Sequence, residues 1–238
     1  MIFAKKEKAS GAIAVSHAER TLRRQILEGF YLPGDKVSDS TISNELGISR
    51  TSIRESFQRL AQDGLITIIP NRGAFVTEHS QKEIFELFEL RDALEVFAVA
   101  QATKRAPQRM TLALKEMLTI TKASMVEHGG RYPVELDFHA TVCEMAGNET
   151  LQREIKKVHQ KLKLVRIHSG YNPARAREAY IEHSEILEAM IKRDVKAAEN
   201  AMRSHLNNSK ISTQTANYAP EQKLNNSDYQ AKQSLLGR

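Results

Sequence analysis

Gly47 sits between two short stretches with helical spacing, and a β-branched run follows less than twenty residues later. Ser38-Asp39 offers an N-cap and a first-turn acid, and Ile42 and Leu46 stand one turn apart behind it. Glycine breaks that helix without strain, as a tight helix–helix turn requires. A further helix starts after Ser49. It keeps Ile53, Phe57, Leu60 and Ala61 on one side and ends at Gly64. Upstream, Leu22, Ile26 and Leu27 predict another helix, closed by Gly29 through Pro33-Gly34. Downstream, Leu65-Ile66-Thr67-Ile68-Ile69 predicts a strand, Pro70-Asn71-Arg72-Gly73 a turn, and Ala74-Phe75-Val76-Thr77 a return strand.

Three helices with a tight turn between the second and third, then a β-hairpin, make a winged helix-turn-helix. The N-terminal part of the third helix in such an arrangement enters the DNA major groove. Here Ser49 precedes it, and Arg50, Thr51, Ser52, Arg54 and Arg59 form its polar face. Arginine can bond a guanine edge with two donors, and Ser, Thr and Arg also reach phosphates. Arg72, beside flexible Gly73, stands where the wing tip would meet the backbone or minor groove. The bland alternative is a solvated helix face partly balanced by Glu55, and the turn and hairpin context weighs against it. Bulk charge does not help: the net +6 divides into +2 for each of residues 1–80, 81–170 and 171–238.

The remaining chain is of another kind. Residues 82–210 form six amphipathic segments punctuated by Pro107, Gly129-Gly130, Gly147 and Pro173, which predicts an all-α bundle. The fold class expected is therefore mainly α: a winged helix-turn-helix over 16–77, a linker at 78–81, and a helical effector-binding and dimerisation domain over 82–210. Residues 1–15 are expected to be a flexible N-terminus and 211–238 a loose tail rich in Gln, Asn, Ser and Ala. No apolar run approaches the ~20 residues that span a bilayer, and no signal peptide stands at the start, so a cytoplasmic protein is expected. The single cysteine, Cys143, excludes a disulfide framework and a thiolate zinc finger.

Three histidines fall on the apolar sides of three different segments. His139 lies with Val142, Cys143 and Ala146, His183 with Tyr180, Ile186, Leu187 and Met190, and His205 with Ala198, Ala201 and Met202. His17, His79, His128, His159 and His168 show no such pattern. Glu135 precedes His139 by one turn, so both project the same way. A carboxylate with three imidazoles suits Zn²⁺, Ni²⁺ or another divalent ion. Buried histidines that each satisfy one hydrogen bond stand as the equal alternative on spacing alone. Arg91, on spacing alone, reads as half of a surface ion pair with Glu95, one turn on.

Two sets of residues resemble a known family. Ile26-Leu27-Glu28-Gly29, Pro33-Gly34, Leu46-Gly47-Ile48-Ser49-Arg50-Thr51-Ser52-Ile53-Arg54-Glu55, Arg59-Leu60, Asp63-Gly64-Leu65 and Arg72-Gly73-Ala74-Phe75-Val76 resemble the DNA-binding domain of the GntR family of bacterial transcription regulators. The family often has Pro where Ser52 stands, and some members have a DNA-contacting Arg where Ser40 stands. Leu90-Arg91-Asp92-Ala93-Leu94-Glu95, Phe138-His139 with Ala146-Gly147-Asn148, His183 with Ile186-Leu187, and Ala201-Met202 with His205-Leu206 resemble the FCD-type effector domain of its FadR-like branch. The resemblance implies a metal held by an Asp and three His, carried over as His139, His183 and His205, with Glu135 at the Asp position. It also implies Arg91, and more weakly Arg166, as anchors for a small carboxylate.

The combined expectation is a DNA-binding regulator rather than an enzyme. It acts as a homodimer on a palindromic operator, under control of a small organic acid or sugar acid bound near a divalent metal, zinc or nickel. Three rivals stand beside it: a metal-free pocket, a helical domain that only dimerises, and a metal-dependent enzyme. No His-Glu-x-x-His helix or nucleophile motif supports the last.

Overall fold

The computed structural model describes residues 2–127, 129–130, 137–165 and 173–218. The N-terminal unit runs α1 (Ile2–Leu27), β1 (Lys36–Val37), α2 (Asp39–Leu46), α3 (Arg50–Gln62), β2 (Ile66–Ile69) and β3 (Gly73–Val76). Ser38 caps α2 by accepting from the Thr41 amide, and Ser49 caps α3 by accepting from the Ser52 amide. Gly47 closes α2 in the left-handed region, at φ 63°, and its N–H reaches the Ser43 carbonyl. That conformation turns α3 across α2, so Leu22, Ile26, Ile42, Ile53, Phe57 and Leu60 share one core.

The sheet has the order β1-β3-β2, antiparallel throughout. Only the hairpin was expected from the sequence. The added strand is two residues long, too short for a periodic signal, and forms because Val37 buries against the core while Lys36 pairs with Phe75. Within residues 1–15, expected as a flexible N-terminus, α1 begins at Ile2 and Val15 is buried.

The C-terminal unit runs α4 (Gln81–Arg105), α5 (Gln108–Glu127), α6 (Phe138–Met145), α7 (Glu149–Val165), α8 (Pro173–Ile191) and α9 (Val195–Tyr218). A reciprocal capping box opens α4: Ser80 accepts from the Glu83 amide, and Glu83 accepts from the Ser80 amide. At its other end Arg193 donates to the Thr103 and Ala106 carbonyls, satisfying groups the helix terminus leaves open. The bundle centres on α4, whose Val96, Ala98, Val99 and Ala102 are buried among α6, α8 and α9. The helix α9 continues to Tyr218 with Thr213 buried, so it takes in residues 211–218 of the expected tail. No helix among the described residues is long and apolar enough to cross a membrane.

Candidate functional site

The three histidines singled out by their apolar faces converge. His139 comes from α6, His183 from α8 and His205 from α9, and all three are buried. Their Nε2 atoms lie 3.2 Å (His183–His139), 3.3 Å (His183–His205) and 3.1 Å (His205–His139) apart. Phe138 stacks on His183 with ring centroids 4.2 Å apart, which fixes that ring.

Two carboxylates set the tautomers. Glu95 Oε2 lies 2.5 Å from His139 Nδ1, and Glu182 Oε2 lies 2.6 Å from His205 Nδ1. A carboxylate only accepts, so each Nδ1 carries the proton and each Nε2 turns a bare lone pair to the centre. Burial lowers the pKa of all three rings. The effect is strong for His183, which also faces His205, His139 and Arg91, and it takes His205 to about 3. The imidazoles are therefore neutral at physiological pH, the form that ligates a metal.

The His139 and His205 lone pairs, with His183 Nε2 beside them, repel one another unless a cation or a proton donor stands among them. Nitrogens sharing one divalent ion at about 2.0–2.1 Å lie roughly 3.0–3.4 Å apart, and the observed separations fall within that range. The donor set thus fits a metal. Among the described residues, His139, His183 and His205 are the group so disposed. Cys143 is buried on α6, and burial pushes its thiol up, so it offers no thiolate at neutral pH.

Arg91 does both things the sequence left open. Its Nε donates to Glu95 Oε1 at 2.5 Å, the i,i+4 pair, yet both side chains are 1% exposed and not on the surface. Its Nη2 stands 3.1 Å from His139 Nε2 and its Nη1 3.3 Å from the Ser209 hydroxyl, so the guanidinium faces the histidine centre. Burial alone would raise the Glu95 pKa, but Arg91, His139 and His159 together hold it well below the usual carboxylate range. For Glu182, donors from His205, Arg175 and Asn208 outweigh burial and hold it at about 2.

The sequence missed Glu95, Glu182 and His159 as parts of this site. His159 had shown no pattern, but its Nε2 donates to Glu95 Oε1 at 2.7 Å. A signal existed for Glu95: Phe88, Arg91, Glu95, Val99 and Ala102 recur at helical spacing, so the ion pair sits inside an apolar stripe. A similar signal places His159 with Ile155 and Leu162. Glu182 had none. Asp137, not taken as a ligand, caps α6 by accepting from the Ala140 amide. Glu135 and Arg166 lie outside the described residues.

The other candidate surface is the start of α3. Arg50 and Arg54 are exposed and converge on Asp39 of α2, with Arg50 Nη2 2.9 Å from Oδ1 and Arg54 Nε 2.6 Å from Oδ2. Thr51 is exposed beside them, and the hydroxyls of Ser49 and Ser52 lie 3.0 Å apart within the cap. Arg59 stands apart from this group. It pairs with Glu55 at 3.1 Å and Glu19 of α1 at 3.6 Å. At the wing tip, Asn71 and Gly73 take positive φ, and the Arg72 guanidinium lies 5.9 Å over the Phe75 ring.

Residues 14–76 match the family of bacterial regulatory proteins called gntR, and residues 86–208 match the FCD domain. The HTH-type transcriptional repressor RspR of Escherichia coli K12 is 28% identical over 189 residues, covering 79% of this chain and 83% of that protein. The Uxu operon regulator of Haemophilus influenzae is 28% identical over 207 residues, 80% of this chain and 78% of that one. In fold, the chain resembles E. coli McbR/YncC, with a TM-score of 0.71 at 20% identity over 85% of this chain and 98% of that one. It also resembles a GntR protein of Rhodococcus sp. RHA1, with a TM-score of 0.73 at 21% identity over the same shares. These families and relatives are transcriptional regulators, not enzymes. The capped α3 behind a glycine turn, the wing, and the helical bundle around three converging histidines belong together for one reason: the chain is a transcriptional regulator of the gntR family with an FCD domain.

Proposed function

We propose that the bundle binds a divalent metal and a small organic acid, and that this ligand controls operator binding by the winged domain. The observation that carries the reading is the convergence of three Nε2 atoms at 3.1–3.3 Å with the Arg91 guanidinium beside them. His139, His183 and His205 would hold the ion, zinc or nickel by donor type, with Glu135 as a fourth ligand. The metal supplies a Lewis-acidic seat for a carboxylate oxygen. Arg91 would hold the remaining negative charge of an organic or sugar acid in a charge-assisted pair, and Arg166 is the second candidate anchor.

Regulators of this family bind DNA. We assign the base and phosphate contacts to Arg50, Thr51, Ser52 and Arg54, with Ser49 as the cap that presents them and Arg72 and Gly73 at the wing. One recognition helix reads only a few base pairs, so a homodimer on a palindromic operator supplies the rest of the specificity. The winged unit, residues 16–77, connects through 78–81 to the helical unit, residues 82–210, and the protein works in the cytoplasm. The ligand acts only if it prefers one arrangement of the two units.

A second reading has its own support: Arg91 Nη2 already lies at hydrogen-bond distance from His139 Nε2, as in a metal-free pocket that binds the acid through Arg91 alone. A thermal-shift screen of organic and sugar acids, with and without zinc or nickel, separates the two. Stabilisation by an acid only when metal is present supports the metal reading. Purified protein that holds no metal and gains no stability from added metal overturns it.

A further inference from the structure

We propose that α7 carries the state of the histidine pocket to the winged domain, with His159 as the positioning residue at the pocket end and Leu164 as the contact at the other. The proposal rests on reading the pocket as a metal-ion site and names the element through which that site acts.

The two residues stand five positions apart on one helix, about 7.5 Å along its axis. At the pocket end, His159 Nε2 donates to Glu95 Oε1 at 2.7 Å. That oxygen also accepts from Arg91 Nε, while the other oxygen of the same carboxylate holds His139. One carboxylate thus joins a metal-ligand candidate, the anion-anchor candidate and α7. An ion on His139 Nε2 strengthens the Nδ1 bond to Glu95, and an acid on Arg91 draws the guanidinium, so both events pull on one carboxylate, and His159 passes that pull to α7.

At the other end α7 is built into the DNA-binding unit. Leu164 is 1% exposed and belongs to the apolar cluster of Ala18, Leu22, Ile53, Phe57 and Leu60. The Lys161 side chain covers the turn after α3, since a Cβ placed on Gly64 would lie 3.2 Å from Lys161 Cε. Val158, Leu162 and Val165 pack against Ile84 and Phe88 of α4. A helix packed on these sides cannot shift at His159 and stay still at Leu164, because close-packed interiors transmit displacement.

The measurement is hydrogen exchange on the full chain, stripped of metal by a chelator and then given excess zinc alone. In the parent, zinc should slow exchange about threefold or more in α6, α8 and α9, and measurably in residues 18–26 and 53–65 around Leu164. His159→Ala should keep the first response and lose the second. His159→Gln, whose amide can still donate to Glu95, should restore it, whereas His159→Leu, which fills the space but cannot donate, should not. Leu164→Ala cuts the path from the other end and decides the matter if His159→Ala does not fold. Zinc that slows α6, α8 and α9 of the parent but not the winged segments overturns the proposal alone. So does a winged response in His159→Ala equal to that of the parent. Zinc that slows none of these segments overturns the metal reading, and the proposal with it.

Discussion

Glu95 on α4 and His139 on α6 meet with Oε2 2.5 Å from Nδ1, and this contact aims the Nε2 lone pair at His183 and His205. Glu95→Gln keeps the shape and removes the charge. Zinc affinity should fall about 10- to 100-fold, the usual effect of losing a carboxylate behind a histidine ligand. Glu95→Ala should also destabilise the fold by about 3–5 kcal/mol, since it leaves Arg91 charged and buried without its partner. Titration calorimetry with zinc checks the first point, and an unchanged affinity in Glu95→Gln would count against it.

His183→Ala removes one of the three converging nitrogens. Zinc at one hundred times its dissociation constant should stabilise the parent by about 2.7 kcal/mol, and that increment should vanish in the variant. Denaturant midpoints with and without zinc report it. Equal increments in both proteins would remove His183 from the ligand set.

Arg91→Lys keeps a positive charge but not the planar fork. Stabilisation by an organic acid should be lost while stabilisation by zinc persists, because no imidazole has been touched. Thermal shifts with each ligand separate the two effects. Retention of the acid response would place its anchor elsewhere.

Arg50→Ala and Arg54→Ala should each weaken operator binding by about 1–3 kcal/mol, the range for one base contact. Arg59→Ala should leave it nearly unchanged, because that side chain is turned to Glu19 and Glu55. Asp39→Asn should raise affinity for random DNA and narrow the gap to the operator, since Asp39 holds both arginines in one orientation and repels phosphates. Mobility shifts at several salt concentrations measure all four variants. An Arg59→Ala defect as large as that of Arg50→Ala would move the DNA surface toward the end of α3.

The metal-free protein should lose stability on acidification below about pH 6.5. Burial lowers the pKa of His139 and His183 and takes His205 to about 3. Between those limits the unfolded chain binds protons that the folded chain refuses, so stability rises with pH there and is fully present above pH 6.5. Glu182, held at about 2, acts in the same sense at lower pH: its contribution is present above about 4.5 and is lost as pH falls toward 2. Urea midpoints at pH 7.5 and 5.5 should show the fall, and His183→Phe should flatten it. A midpoint that stays level in the parent would refute the buried, neutral triad.

Local signals were legible wherever one residue does one local job. Ser38 and Ser49 cap helices, Gly47 takes the left-handed turn, and Ile53, Phe57 and Leu60 face one way, all readable from spacing. Spacing also put His139, His183 and His205 on inner faces. It could not say that three inner faces meet at one point, nor which of two readings Arg91 would take. A helical period reports direction around one axis and carries nothing about the neighbouring helix. The same gap hid β1, which is a strand only because β3 passes beside it.

Local spacing and chemistry were therefore enough for the winged unit, the helical bundle, the arginines at the start of α3 and the inward faces of the three histidines. The tertiary structure decided the rest. It sent Arg59 to α1, fixed two histidine tautomers through Glu95 and Glu182, and brought His159 into the site. The physical reason is range: capping, turns and periodicity act within a few residues, whereas Glu95 to His139 spans 44 positions and Glu95 to His159 spans 64. Such contacts form only once packing has closed the chain between them.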